Sequence, residues 1–194
     1  RKSFDEVANA IAEGVRKLLG DPVRAVEVLG AVQNRGVLDR LDRARALGPV
    51  LLDTQVVPHP QFPDANVRTP LILKLDARDG DKYLSEWFGP IAFVIATDST
   101  DQSLSIAREA AKKHGALTLS LYSKDPKVVD RAIGVAEDAG VALSINLTSG
   151  VFVNQSAAFS DFHGTGANPA ANAALTDAAF VANRFRVVQH RMHV

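Results

Sequence analysis

Between Leu71 and Ile145 apolar runs alternate with helix-forming stretches, and each joint carries a cap or a breaker. This alternation constrains the fold more than any other feature of the chain. Leu71, Leu73 and Leu75 mark a strand. Ile91 to Ala96 is a nearly continuous apolar run, the pattern of a strand in a sheet covered on both faces. Asp98 to Asp101 offers several N-caps for a helix that ends near His114-Gly115. Leu117 to Tyr122 is another strand. Asp125-Pro126 sets a cap before a proline at the first helical position, and Gly140 stops that helix. Val141 to Ile145 is a further strand. Strands joined by single helices through short joints imply right-handed crossovers and parallel pairing. The expected fold class is α/β, a mostly parallel sheet flanked by helices.

Helical signals precede this series. Ser3-Phe4-Asp5-Glu6 fits a capping box, and Val7, Ile11, Val15 and Leu18 follow at helical spacing before Gly20. Asp21-Pro22 breaks the chain before a short helical stretch through Val26 to Leu29. A third helix is expected from about Val37 to Leu47, with Leu38, Leu41 and Ala44 as its apolar stripe. The segment from Pro58 to Pro70 carries four of the nine prolines and reads as a loop. After Asn146 the composition shifts. Residues 147–175 are rich in Gly, Ser, Ala, Asn and Thr, with Phe152, Phe159 and Phe162 among them, and read as a long functional loop. Residues 184–190 alternate as a terminal strand that has nothing after it to pair with locally, so it is expected to reach a neighbouring subunit. The organisation expected is one α/β domain over residues 1–183 and a C-terminal strand or tail over residues 184–194.

With 194 residues the chain is long enough for a sizeable core. Lys plus Arg and Asp plus Glu are 22 each, so the formal net charge is zero, which argues against non-specific nucleic-acid binding. No apolar run approaches the length of a bilayer span and nothing reads as a signal peptide, so a cytoplasmic location is the default expectation. The absence of cysteine excludes disulfides, cysteine-type zinc sites and a cysteine nucleophile within these residues. The start at Arg1 rather than Met is read as that of a piece of a longer protein.

One short run carries chemistry: Ser85-Glu86-Trp87-Phe88-Gly89-Pro90-Ile91. A carboxylate offers about four lone-pair sites, enough to accept hydrogen bonds from a vicinal diol. In an extended segment Glu86 and Phe88 lie on the same side. Gly89-Pro90 makes a tight, stiff turn. The run fits a contact that holds a ribose and a flat ring side by side. Taken from spacing alone, the run is more simply a surface loop that contains a glutamate and two aromatics.

Beyond these readings the chain resembles the aldehyde dehydrogenase superfamily, in the later part of its catalytic domain. Leu19-Gly20-Asp21-Pro22 with Leu29-Gly30, Glu86-Trp87-Phe88-Gly89-Pro90-Ile91, Thr118 to Asp125, Ala139-Gly140 and Ile145-Asn146 are similar to successive blocks of that family. Phe152 to Ser156, Asp161 to Pro169 and Val181 to Val188 look most like the PaaN-type proteins of phenylacetic acid degradation. There the chain departs from the general family, which has Phe-Gly-Gly and then Ser-Gly.

The resemblance implies an enzyme that oxidises an aldehyde to a carboxylic acid with NAD or NADP. In that family a cysteine thiolate attacks the carbonyl to form a hemithioacetal, hydride passes to nicotinamide, and a glutamate activates the water that releases the acid. The substrate implied is a small-molecule aldehyde, a ring-cleavage semialdehyde carried as a CoA thioester. By family order the cysteine, the general base and the dinucleotide-binding domain lie before Arg1, so no catalytic residue is assigned in this chain and the chain alone is expected to be inactive. Carried over by position, Glu86 binds the nicotinamide ribose hydroxyls and Phe88 packs beside the nicotinamide. Phe152 and Phe162 fall where the family places aromatics along the substrate tunnel; as simple loop anchors they fit equally well. The tail near residues 184–190 corresponds to an oligomerisation strand, which implies a homo-oligomer. The rival reading is a non-catalytic α/β module for binding or assembly.

Other features carry less. Gly164-Thr165-Gly166 lacks the third glycine and the strand–turn–helix context of a dinucleotide fingerprint. His190 and His193 are too few for a metal site, and no metal is expected. Asp98 and Asp101 are explained by helix capping. Ser156 and Ser160 have no evident His–Asp partners for a serine nucleophile.

Overall fold

The structure is a computed structural model that describes residues 3–115, 118–146 and 190–192. They fall into two compact units, residues 1–97 and 98–194.

The first unit starts with α1 (Phe4–Leu18), closed by the expected capping box: Ser3 Oγ accepts from the Glu6 amide at 3.3 Å, and the Ser3 amide donates to Glu6 Oε2 at 2.6 Å. Its buried residues are Ala8 and Ala12, whereas Val7, Ile11 and Leu18 of the expected apolar stripe are 44%, 43% and 58% exposed. Helix α1 packs against β1 (Val50–Leu52). Polar ties hold it there, Arg16 Nη2 donating to the Leu51 carbonyl at 2.8 Å and Lys74 pairing with Asp5. Asp21 caps α2 (Pro22–Val28), whose Ala25 packs with Val57 and Val67. Those two valines come from β2 (Val56–Val57) and β3 (Val67–Arg68), an antiparallel ribbon whose second strand lies inside the Pro58 to Pro70 segment that reads as a loop. The prolines occupy the connection and its far flank. Two-residue strands are too short to show a period, so the ribbon leaves no signal in the pattern.

Helix α3 (Arg35–Arg45) is capped by Asn34 Oδ1 on the Gly36 amide at 2.8 Å. It buries Val37, Leu41 and Ala44. Leu41 and Ala44 form a core with Leu71 and Leu73 of β4 (Leu71–Asp76), with Leu38, Leu47, Trp87, Ile91 and Phe93 packed around it. Strand β4 is central: β1 pairs with it antiparallel, and β5 (Ile91–Ala96) pairs with it parallel, Leu71 opposite Ile91 through Asp76 opposite Ala96. As the edge strand of this sheet, β5 is half-buried, with Ala92 exposed, rather than buried on both faces. A short helix, α4 (Gly80–Tyr83), joins the two parallel strands.

The second unit holds α5 (Thr100–His114), β6 (Thr118–Leu121), α6 (Pro126–Ala139), β7 (Ala142–Ile145) and β8 (His190–Met192). Of the capping candidates before α5, Ser99 takes the role, its Oγ accepting from the Gln102 amide at 3.1 Å. Gly115 and Gly140 end their helices at φ of 82° and 69°, the left-handed conformation that glycine adopts without strain. Ala111 of α5, Ala132 and Ala136 of α6, and Val141, Leu143 and Ile145 make the core. Strands β6, β7 and β8 are parallel and lie in that order.

The fold is α/β with parallel pairing in both units. Of the expected C-terminal strand or tail over residues 184–194, the described residues 190–192 pair with β7 of the same chain, Leu143 opposite His190 and Ile145 opposite Met192, so this part finds its partner earlier in the sequence rather than lacking a local one. The boundary expected at residues 183/184, the loop over 147–175 and the aromatics Phe152 and Phe162 lie outside the described residues.

Candidate functional site

The segment from Glu86 to Pro90 is built from both ends. At the end of β4, Asp76 accepts from the Arg78 amide at 3.0 Å and from Arg78 Nε at 2.8 Å. The guanidinium bond, and then the amide bond, hold the Asp76 carboxyl at about 2, well below the ordinary aspartate value. Asp79 accepts from the Asp76 amide at 3.1 Å and from Lys82 Nζ at 2.8 Å. The pair with Lys82 pushes the Asp79 carboxyl down and the Lys82 ammonium up. These bonds fasten the turn into α4 and with it the Lys82 carbonyl.

That carbonyl accepts the Trp87 indole N–H at 2.8 Å. The Trp87 ring meets Phe93 edge-on, centroids 6.3 Å apart and planes at 82°, over the core of Leu41, Leu71 and Leu73. A half-buried tryptophan with its single donor satisfied is a strong anchor. Because Trp87 turns inward, its neighbours turn out: Glu86 and Phe88 are both exposed, Phe88 at 66%. The alternation expected of an extended segment is the one observed.

From the other end the segment is tied to β4 and α3. The Leu71 amide donates to the Pro90 carbonyl at 2.9 Å, which starts the β4–β5 register. The Ile91 amide donates to the Gly89 carbonyl at 2.8 Å, closing a tight turn. Gly89 has φ +149°, and a Cβ there would stand 2.9 Å from Val37 Cγ1, so both backbone conformation and space require glycine. Arg40 Nη1 donates to the Phe88 carbonyl at 3.0 Å.

Among the described residues Glu86 makes no hydrogen bond or ion pair, so its two oxygens are open to a ligand. An exposed carboxylate two residues from an exposed aromatic ring, both on a fixed backbone, can grip a diol and lie against a planar group. Glu86 and Phe88 are both exposed on one segment, on either side of the inward Trp87 in sequence; Phe152 and Phe162 lie outside the described residues. Arg40 and Val37 were not legible as part of this site. Arg40 lies 48 residues from Phe88 in sequence, and only the fold of α3 against β4 and β5 brings it there. Among the described residues no group of three or more His, Cys, Asp or Glu is placed to hold a metal ion, and no helix is long and apolar enough to cross a membrane.

No family model matches the chain. No curated protein matches it. Among solved structures it is similar to the crystal structure of an NAD-dependent aldehyde dehydrogenase from Burkholderia multivorans, with 70% sequence identity and a TM-score of 0.79. The match covers 100% of this chain and 35% of that chain. The fold is therefore that of the matching part of an aldehyde dehydrogenase, and the chain spans about a third of its length.

Proposed function

We propose that this chain is part of an NAD(P)-dependent aldehyde dehydrogenase that oxidises an aldehyde to a carboxylic acid. The observation that carries the reading is the 70% identity, over the whole chain, to an NAD-dependent aldehyde dehydrogenase. The local geometry supports it. Glu86 accepts hydrogen bonds from the two hydroxyls of the nicotinamide ribose, and Phe88 lies against the nicotinamide ring. The residues fit that role: an exposed carboxylate without a protein partner among the described residues and an exposed ring stand on a backbone held by Trp87, Gly89 and Arg40. When bound, the nicotinamide supplies the hydride acceptor. This chain's part is to orient it, which lowers the barrier by removing rotational freedom before reaction. With no cysteine among its 194 residues, the chain does not carry the thiolate, which belongs to another part of the polypeptide in this reading.

The finer assignment is to phenylacetate degradation, with a ring-cleavage semialdehyde CoA thioester as substrate, a cytoplasmic location and a homo-oligomeric assembly through the C-terminal strand over residues 184–194. It rests on the likeness of residues 152–188 to the PaaN-type proteins, and there Phe152 and Phe162 would line the substrate tunnel of the domain over residues 1–183. Replacing Glu86 with Gln in the longest natural polypeptide that contains the chain tests the cofactor role. The substitution keeps the size and removes the charge. NAD affinity is expected to fall about tenfold, the weight of a charge-assisted hydrogen bond. Unchanged affinity for both NAD and NADP would overturn the ribose assignment.

A further inference from the structure

We propose that Arg40 is a positioning residue that sets where the Glu86–Phe88 pair stands, by holding the Phe88 carbonyl. The proposal rests on the cofactor reading above. Arg40 and Val37 lie three residues apart on α3 and so face the same side of the helix. Both meet the same peptide of the candidate site. The half-buried Arg40 donates from Nη1 to the Phe88 carbonyl at 3.0 Å, and Val37 Cγ1 closes against Gly89 at the next residue. A guanidinium that grips a carbonyl fixes the plane of the Phe88–Gly89 peptide. Trp87, one residue earlier, is fixed by the Lys82 carbonyl at 2.8 Å. Phe88 is therefore held from both sides while its own ring, 66% exposed, touches little of the protein. A ring and a carboxylate in that situation are placed by their backbone or not at all.

The same geometry predicts that Arg40 matters more to binding than to folding. A single bond from a partly exposed arginine adds little to global stability. Loosening the peptide it holds, however, lets the pair sample orientations that a ligand must then freeze out.

The test uses the longest natural polypeptide that contains this chain, with Arg40→Met, Arg40→Lys and Glu86→Gln compared in parallel. NAD binding is measured by calorimetry, steady-state kinetics give KM for NAD and kcat, and deuterium exchange is followed in peptides spanning residues 84–90. With Arg40→Met we expect NAD affinity to fall about three- to tenfold. KM should rise by a similar factor with kcat changed less than about twofold, exchange should be faster in residues 84–90, and the melting temperature should hold. Arg40→Lys, which keeps a donor on a long stem, should recover most of the affinity. If Glu86→Gln weakens NAD binding while Arg40→Met leaves affinity and exchange unchanged, the positioning role is wrong and the cofactor reading stands. If Arg40→Met lowers the melting temperature and kcat and raises KM together, and Lys rescues none of them, Arg40 is an ordinary structural residue and the proposal is overturned. If Glu86→Gln also leaves NAD affinity unchanged, the cofactor reading fails first and takes the proposal with it.

Discussion

Gly89→Ala is the sharpest perturbation of the segment that presents Glu86 and Phe88. The backbone there has φ +149°, a conformation that side chains with a Cβ avoid at a cost of about 1–3 kcal/mol. The new methyl would also stand 2.9 Å from Val37 Cγ1. Valine is stiff about χ1 and buried at this position, so it can yield only by leaving its rotamer, at about 0.5–1.5 kcal/mol more. The expected loss is about 2–4 kcal/mol. Urea unfolding followed by the fluorescence of Trp87, the one tryptophan of the chain, reports on the unit that contains the substitution. A cycle with Val37→Ala separates the two causes. Removing the Val37 methyls relieves the contact and leaves the backbone strain, so the double variant should lose less than the two single losses together, by about 0.5–1.5 kcal/mol. A Gly89→Ala loss under about 0.5 kcal/mol, with additive behaviour in the cycle, would refute both the strain and the close approach to α3.

Other consequences are smaller or more local. Trp87→Phe deletes the bond to the Lys82 carbonyl and part of the edge contact with Phe93, and should cost about 1–2 kcal/mol in urea unfolding followed by circular dichroism. Asn146 holds φ 55° while its side chain accepts from the Ser123 amide at 3.0 Å and donates to the Ser123 carbonyl at 2.9 Å. Asn146→Ala should therefore cost about 2 kcal/mol, and Asn146→Gly less, because glycine keeps the backbone conformation at no strain. Arg108 and then Lys112 hold the Asp138 carboxyl at about 2, below its unfolded value of about 3.9. A depressed carboxylate stabilises the fold fully above the unfolded value. The contribution at the α5–α6 contact should thus be complete above about pH 4 and vanish as pH falls through about 2, with Arg108→Met moving the Asp138 inflection upward in an NMR titration. Purified as residues 1–194, the chain should reduce no NAD with any aldehyde, since it holds no thiol; turnover would contradict the proposed division of labour.

The parts of the fold that were legible are those where caps, breakers and periodicity agree. Strand β5 ends where the apolar run ends, α6 begins at Asp125-Pro126 and stops at Gly140, and the capping box of Ser3 and Glu6 closes α1. Elements without such signals were not legible. The ribbon of β2 and β3 is two residues per strand, and α4 is a single turn without a side-chain cap. In α1 the helix was legible from the spacing of Val7, Ile11, Val15 and Leu18, but the side it buries, Ala8 and Ala12, was not, because spacing marks where the large apolar groups lie and not what packs against the helix. At the candidate site the outward alternation of Glu86 and Phe88 follows from local geometry and was legible. What holds them was not, because the partners Arg40, Val37 and Lys82 come from other elements and are brought in only by packing.

In the proposed function Glu86 and Phe88 contact the nicotinamide end of the cofactor. A crystal structure of the longest natural polypeptide containing this chain, grown with NAD, tests it most directly. The Glu86 carboxylate is expected within about 3 Å of both nicotinamide ribose hydroxyls, with the Phe88 ring against the nicotinamide. A cofactor bound with its ribose hydroxyls held by other residues, and Glu86 facing solvent, would contradict it.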